Sequence, residues 1–309
     1  MKDIDNVTVS DRVTRGLLDG ALGVLIFSGT MTATRAAAPA LGGLFTGLGR
    51  GAVAAGLAGV WLIAARAERP RRAEWPGLIV VALGAVIGFP LLSSLAMTRL
   101  PATHGMVVTA VMPMLTALGA VLRAGERTTP RFWAWSGAAT AIVVAWALHA
   151  GLGRPDPADL LLLVAMLAAA ASYTEGGRLS RARGGLWVLS WALVIAAPIT
   201  LPGALALLPD APAPPSAWAG FAWISLMSSF VGFTFWYRGL AEGGIARVSQ
   251  VQVVQPLLGL LWAQLLLREP LDPWAILAAV AVVGCVWRGL QVAREVPPRL
   301  SQPQTWRTS

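Results

Sequence analysis

The chain has 309 residues, is 56% hydrophobic and only 13% charged, and has a mean hydropathy of +0.66. Soluble domains carry about 25% charged residues, so an ordinary soluble fold is excluded and the length is better counted in membrane spans. The net charge of +9 does not mark a nucleic-acid binder, because the arginines stand between apolar runs rather than on one basic face, and the single cysteine, Cys285, excludes an intrachain disulfide and a cysteine metal site.

The opening stretch, MKDIDNVTVSDRVTR, is polar and contains acids, unlike a secretory signal, and is expected as a cytoplasmic tail over residues 1–15. Beyond it, charges divide the chain into ten charge-free runs of 15 or more residues: 20–34, 51–65, 75–98, 100–122, 132–153, 160–174, 184–209, 211–237, 248–267 and 273–287. A helix needs about 20 apolar residues to cross a bilayer. The middle runs suffice alone, and the shortest draw in flanking residues whose charged ends snorkel to the interface. The charge-free segment 36–49, AAAPALGGLFTGLG, reads as a turn plus the start of span two. The expected fold is therefore an all-α integral membrane protein with ten transmembrane helices. Ten spans put both termini on one side, and 19 of the 24 Lys and Arg residues fall there, which the positive-inside rule assigns to the cytoplasm.

Taken in order, span one holds Ser28, Gly29, Thr30, Thr32 and Thr34, whose hydroxyls either line a cavity or bond their own backbone. In span two Gly43, Gly47, Gly51, Ala55 and Gly59 recur every four residues, and Gly84 and Gly88 repeat the pattern in span three. Such smooth strips let another helix approach closely. Arg35 and Arg50 stand near the expected outer mouth, where they either snorkel or attract a carboxylate. Span four contains Pro113 and span nine Pro256. A mid-span proline removes a donor and clashes with the preceding turn, so both are expected as kinks or hinges. Span six carries Ser172, Tyr173, Thr174 and Glu175; span eight carries Trp223, Ser225, Ser228, Ser229 and Trp236. In span nine Ser249, Gln252 and Gln255 are spaced i, i+3, i+6 and fall near one face. Trp75, Trp133, Trp218, Trp274 and Trp287 stand at run ends as interface anchors. His104 and His149, near outer span ends, read as isolated interfacial groups. No carboxylate falls in the middle of a span, since Asp19 and Glu175 lie near cytoplasmic ends, and this argues against a strongly proton-coupled pump.

The chain also repeats itself. HGMVVTAVMPMLTALGAVLRAGERTTPRFW (104–133) aligns without a gap on RVSQVQVVQPLLGLLWAQLLLREPLDPWAI (247–276) at an offset of 143, placing Pro113 on Pro256, Glu126 on Glu269 and Pro130 on Pro273. Two five-span halves follow, expected over 16–153 and 154–292, with a C-terminal tail over 293–309. Five is odd, so the second half enters the membrane from the opposite side, the inverted arrangement of many secondary transporters. In this register Ser249, Gln252 and Gln255 fall on Met106, Thr109 and Met112. Glu126 and Glu269, in short loops, are expected to cap or tether helix ends, or to pair with Arg123 or Arg268.

Three segments carry a family resemblance: FSGTMTATRAAAPALGGLFTGLGRGAVAAGL, PMLTALGAVLRAGERTTPRFWAWSGA and QPLLGLLWAQLLLREPLDPWAILAAVAVVG. A Ser/Thr-rich first span ending in Arg35, an Arg (Arg50) opening span two, and a Pro-apolar-Glu-Pro signature in each half resemble the drug/metabolite transporter superfamily, EamA type. Phe27 stands where that family often carries tryptophan. The resemblance implies ten helices, inverted repeats and, commonly, export of amino acids or other small metabolites. The residues expected to line a substrate cavity are Gln252, Gln255, Ser249, Thr109, Met112, Thr30, Thr34, Tyr173 and Trp223. That neutral, polar and aromatic set suits a zwitterion or an amphiphilic neutral solute better than a polyanion. An enzyme would need clustered His and acids, a Ser/His pair or paired acids at membrane depth, and none is present in the sequence. The expectation is a secondary transporter of the inner membrane, monomer or homodimer, whose partners are lipid and a small-molecule substrate, with no nucleic acid, cofactor or metal. A non-transporting membrane receptor or assembly partner is the alternative.

Overall fold

The computed structural model describes residues 2–126, 128–149, 157–270 and 273–294. The expected boundary at 153/154, the tail from 295 onward and the His149 side chain lie outside the described residues. Every regular element among them is helical, as lipid requires, because a helix satisfies its own backbone donors and acceptors.

α1 (Lys2–Ser28) and α2 (Thr30–Leu41) form the first span, broken at Gly29. The segment expected as an N-terminal tail is helical from Lys2 on. The turn and the start of span two expected within 36–49 are both there, the turn being a single residue. Helix continues to Leu41 with Pro39 inside it, Gly42 alone turns the chain, and α3 (Gly43–Ala64) begins at once. One residue suffices because Gly42 takes φ 85°, a conformation glycine adopts without strain.

α4 (Trp75–Val81) and α5 (Phe89–Met97) flank a π-helical stretch, Ala82–Gly88. Then come α6 (Ala102–Thr109), α7 (Met112–Ala124), α8 (Pro130–His149), α9 (Pro157–Arg183) and α10 (Gly185–Ala206). α11 (Pro215–Ala222) and α12 (Phe233–Gly243) flank a second π stretch, Trp223–Gly232. α13 (Ile245–Ser249), a 3₁₀ turn at Gln250–Val254, α14 (Gln255–Leu267) and α15 (Pro273–Arg294) complete the chain. Among the described residues, seven helical stretches are long and apolar enough to cross a membrane. Val60, Ile63, Leu122 and Leu266 are among the large apolar side chains left on the outside. So much exposed apolar surface suits lipid and not water. The protein is an all-α, multi-span membrane protein.

Two pairs of elements match along the chain. α3 and α10 each have 22 residues and each follows a glycine of positive φ, Gly42 or Gly184. α7 and α14 each have 13 residues, carry a proline in the first turn and end at a left-handed residue, Gly125 or Arg268. Pro113 and Pro256 each stand in the first turn of a helix that follows an irregular step, the turn at Ala110–Val111 or the 3₁₀ turn at Gln250–Val254. In that first turn the missing N–H costs no intrahelical bond.

The glycine strips do what their spacing implies, with one exception. A Cβ on Gly47 would stand 2.6 Å from Leu91 Cα, and one on Gly84 would stand 2.3 Å from the Ala168 carbonyl oxygen. α3 is thus pressed onto α5, and the π stretch onto α9. Gly59 has nothing within 4 Å of such a Cβ among the described residues. Across the halves, α3 packs on α10, α1 on α12 and α8 on α15.

Two carboxylates cross between the halves reciprocally. Glu126, just past α7, accepts the N–H groups of Ile245 and Ala246, which open α13, at 2.8 and 2.7 Å. Glu269, just past α14, accepts those of Ala102 and Thr103, which open α6, at 3.0 Å each. First-turn N–H groups lack intrahelical partners, and a helix N-terminus favours an anion. The expected capping role is met, but in trans. Arg123 instead pairs with Glu175 at 2.5 Å, and Arg181 pairs with Glu126.

Candidate functional site

The broken helices meet at one place. Gly29, the break between α6 and α7, the second π stretch and the 3₁₀ turn surround a small chamber with a cavity of about 20 Å³. Irregular backbone at membrane depth is tolerated where protein or a cavity satisfies it. The void is narrow, with room for a water molecule rather than a metabolite, so the walls are drawn together. Six residues expected from the sequence line it: Thr30, Thr109 and Met112 from the first half, and Tyr173, Gln252 and Gln255 from the second.

The polar groups form two short chains. Thr30 Oγ1 and Ser228 Oγ lie 2.9 Å apart; Arg50 Nη2 donates to Ser228 Oγ at 3.0 Å and Arg50 Nε to Ser229 Oγ at 2.8 Å. On the other wall Gln252 Nε2 donates to Gln255 Oε1 at 3.1 Å, and Gln255 Nε2 to the Phe27 carbonyl at 3.5 Å. Aromatic edges close the space. Tyr173 meets Trp236 at 5.2 Å and Phe233 at 5.9 Å, and Phe27 meets Phe233 at 5.0 Å. Arg50 Nη1, Gln252 Oε1 and Trp236 Nε1 are buried without a hydrogen-bond partner among the described residues.

Three expected residues lie outside the lining. Ser249 donates to the Ala246 carbonyl at 3.0 Å and lies 3.5 Å from that of Pro113, joining α13 to α7 below the chamber. Thr34 bonds back to the Thr30 carbonyl at 2.7 Å, the local alternative open to any helical threonine. Trp223 is 39% exposed, and its indole covers the Gly29 break from outside. Its bulk has no place in so narrow a chamber. Elsewhere, His104 is not isolated, since its Nε2 lies 2.6 Å from Asp159 Oδ1. Trp75, Trp218, Trp274 and Trp287 are exposed as anchors would be, whereas Trp133 packs against the core.

Arg50 is what the sequence reading misplaced. It has no exposed surface. It is the eighth residue of α3, so it lies about 10 Å below the helix start at 1.5 Å per residue. Read as the residue that opens span two, Arg50 was set near the outer mouth, whereas α3 begins seven residues earlier, at Gly43. The glycine strip beginning at Gly43 was the signal that the helix started earlier. Arg35, by contrast, remains peripheral and donates to the Met97 carbonyl at 2.8 Å, at the end of α5.

A polar chamber where broken helices of a membrane bundle meet is the kind of site a carrier of small solutes needs. The profile of the EamA-like transporter family matches the chain twice, over residues 14–148 and 156–287, and the chain belongs to that family. It is a drug/metabolite superfamily secondary transporter that moves small solutes across a membrane, and the family is not catalytic. The chain is 42% identical over 285 residues to the "Uncharacterized transporter YdeK" of Bacillus subtilis (strain 168), covering 89% of this chain and 97% of that one. A protein of known crystal structure, 19% identical, superposes with a TM-score of 0.68 over 91% of this chain and 98% of its own, and so shares the fold.

Proposed function

We propose that the protein exports amino acids or related neutral and zwitterionic solutes across the inner membrane by alternating access. In this reading ten spans form two inverted five-helix repeats, over 16–153 and 154–292, with both termini in the cytoplasm. The observation that carries it is the chamber itself, where broken helices of both halves meet and both contribute polar walls. The amide, hydroxyl and aromatic lining suits an amphiphilic solute with few charges. The direction rests on what the family resemblance implies.

The positive-inside count puts Glu126 on the cytoplasmic face and Glu269 on the outer face. Both clasps are closed here and the chamber is contracted, as in an occluded state. Opening one clasp admits solute from one side while the other excludes the opposite side. The test is counterflow into liposomes containing the purified protein, with a panel of radiolabelled amino acids. Accumulation of at least one is expected. A folded protein that moves none would sink the amino-acid reading.

A further inference from the structure

Arg50 lacks the partner a buried cation requires. Its Nε and Nη2 are held by two neutral hydroxyls, and Nη1 has no hydrogen-bond partner among the described residues. The acids nearest membrane depth are committed elsewhere, Asp19 to Arg238 and Glu175 to Arg123 and Arg178. A guanidinium does not shed its proton in a protein, and a charge taken out of water needs an opposite charge or a full set of hydrogen bonds. Ser228 joins Arg50 to the chamber, and Tyr173, on the chamber wall, lies within electrostatic reach of Arg50 and beside the Gln252 amide.

We infer that the transported solute carries a carboxylate, which docks on the free Nη1 edge of Arg50, and that Gln252 Oε1 accepts an N–H from the same solute. This rests on the carrier reading of the chamber. It narrows the substrate class, because a wholly neutral solute would leave the cation uncompensated. One guanidinium among neutral hydroxyls balances one negative charge, which matches a single carboxylate and not a phosphate dianion. The two orphaned groups are complementary in kind, a donor on one side and an acceptor on the other, so a zwitterion or an amide-bearing acid satisfies both. Binding then supplies the counter-charge that the empty protein lacks.

The experiment uses matched probes in proteoliposomes: L-amino acids, their carboxamides, and the corresponding decarboxylated amines. Wild-type protein should move acids, and the carboxamides should compete at least about tenfold more weakly, the loss expected for one charge-assisted contact. Arg50→Gln should lose acid transport while its unfolding temperature without solute holds or rises, since an unpaired buried charge is gone. Arg50→Lys, which keeps the charge but not the fork, should retain transport with a raised KM. Carboxamides or amines moved as well as acids by wild type would overturn the inference and leave the carrier standing. Normal acid transport by a folded Arg50→Gln would do the same. If Arg50→Gln does not fold, Arg50→Lys and Ser229→Ala decide, and an unchanged KM for acids in both overturns the inference. Wild type that moves none of the three series overturns the inference and the proposed substrate together.

Discussion

Gln252 is tied at one end only. Its Nε2 reaches Gln255, and its Oε1 is buried with no partner among the described residues. A residue kept for packing would have both ends satisfied, because an orphaned buried acceptor is costly. Gln252→Leu and Gln255→Leu should each cut uptake by about tenfold or more while barely moving the unfolding temperature, since an interhelical hydrogen bond in a membrane bundle averages about 0.6 kcal/mol. Normal uptake with a large loss of stability would make them packing residues. This pair was legible because spacing of three survives in both α and 3₁₀ geometry. Ser249 shares the face but lies at the depth of Pro113, one turn short of the chamber. Periodicity gives a face and says nothing of depth.

At the scale of the element, small residues set how closely helices approach. Gly84→Ala places a Cβ 2.3 Å from a backbone carbonyl oxygen that has no rotamer to escape into, and should destabilise by about 1–3 kcal/mol. Gly59→Ala meets nothing within 4 Å and should be neutral or stabilise by up to about 1 kcal/mol. Thermal unfolding in detergent checks the pair, and equal effects would refute the packing account. The reciprocal clasps make a second prediction. With Cys285→Ala as background and Thr109→Cys as reporter in the chamber wall, Glu269→Gln should raise labelling by an impermeant maleimide added outside severalfold. Glu126→Gln should raise it from the inside instead. No change from either side would reduce both glutamates to helix caps. The glutamates and prolines were visible as matched punctuation 143 residues apart. Their partners were not, since Ile245 lies 119 residues from Glu126 and no local signal names it.

For the whole molecule, the excess of arginine on one side predicts that a fluorescent protein fused at the C-terminus will glow and that alkaline phosphatase fused there will be inactive. The opposite pattern would turn the proposed topology over and exchange the faces of the two clasps. Sequence alone determined that the chain lives in a bilayer as helices, because only apolar residues tolerate lipid and only closed backbone hydrogen bonding survives in it. It also carried the family signature and the 143-residue repeat, because turns, breaks and caps are local chemistry. The tertiary structure decided which polar groups meet. A one-residue turn at Gly42 carried Arg50 into the bundle, and packing across the halves set it beside Ser228 and Ser229 and left one edge of it free. Burial of a charge is a property of what surrounds it, and its surroundings come from helices that are far apart in the chain.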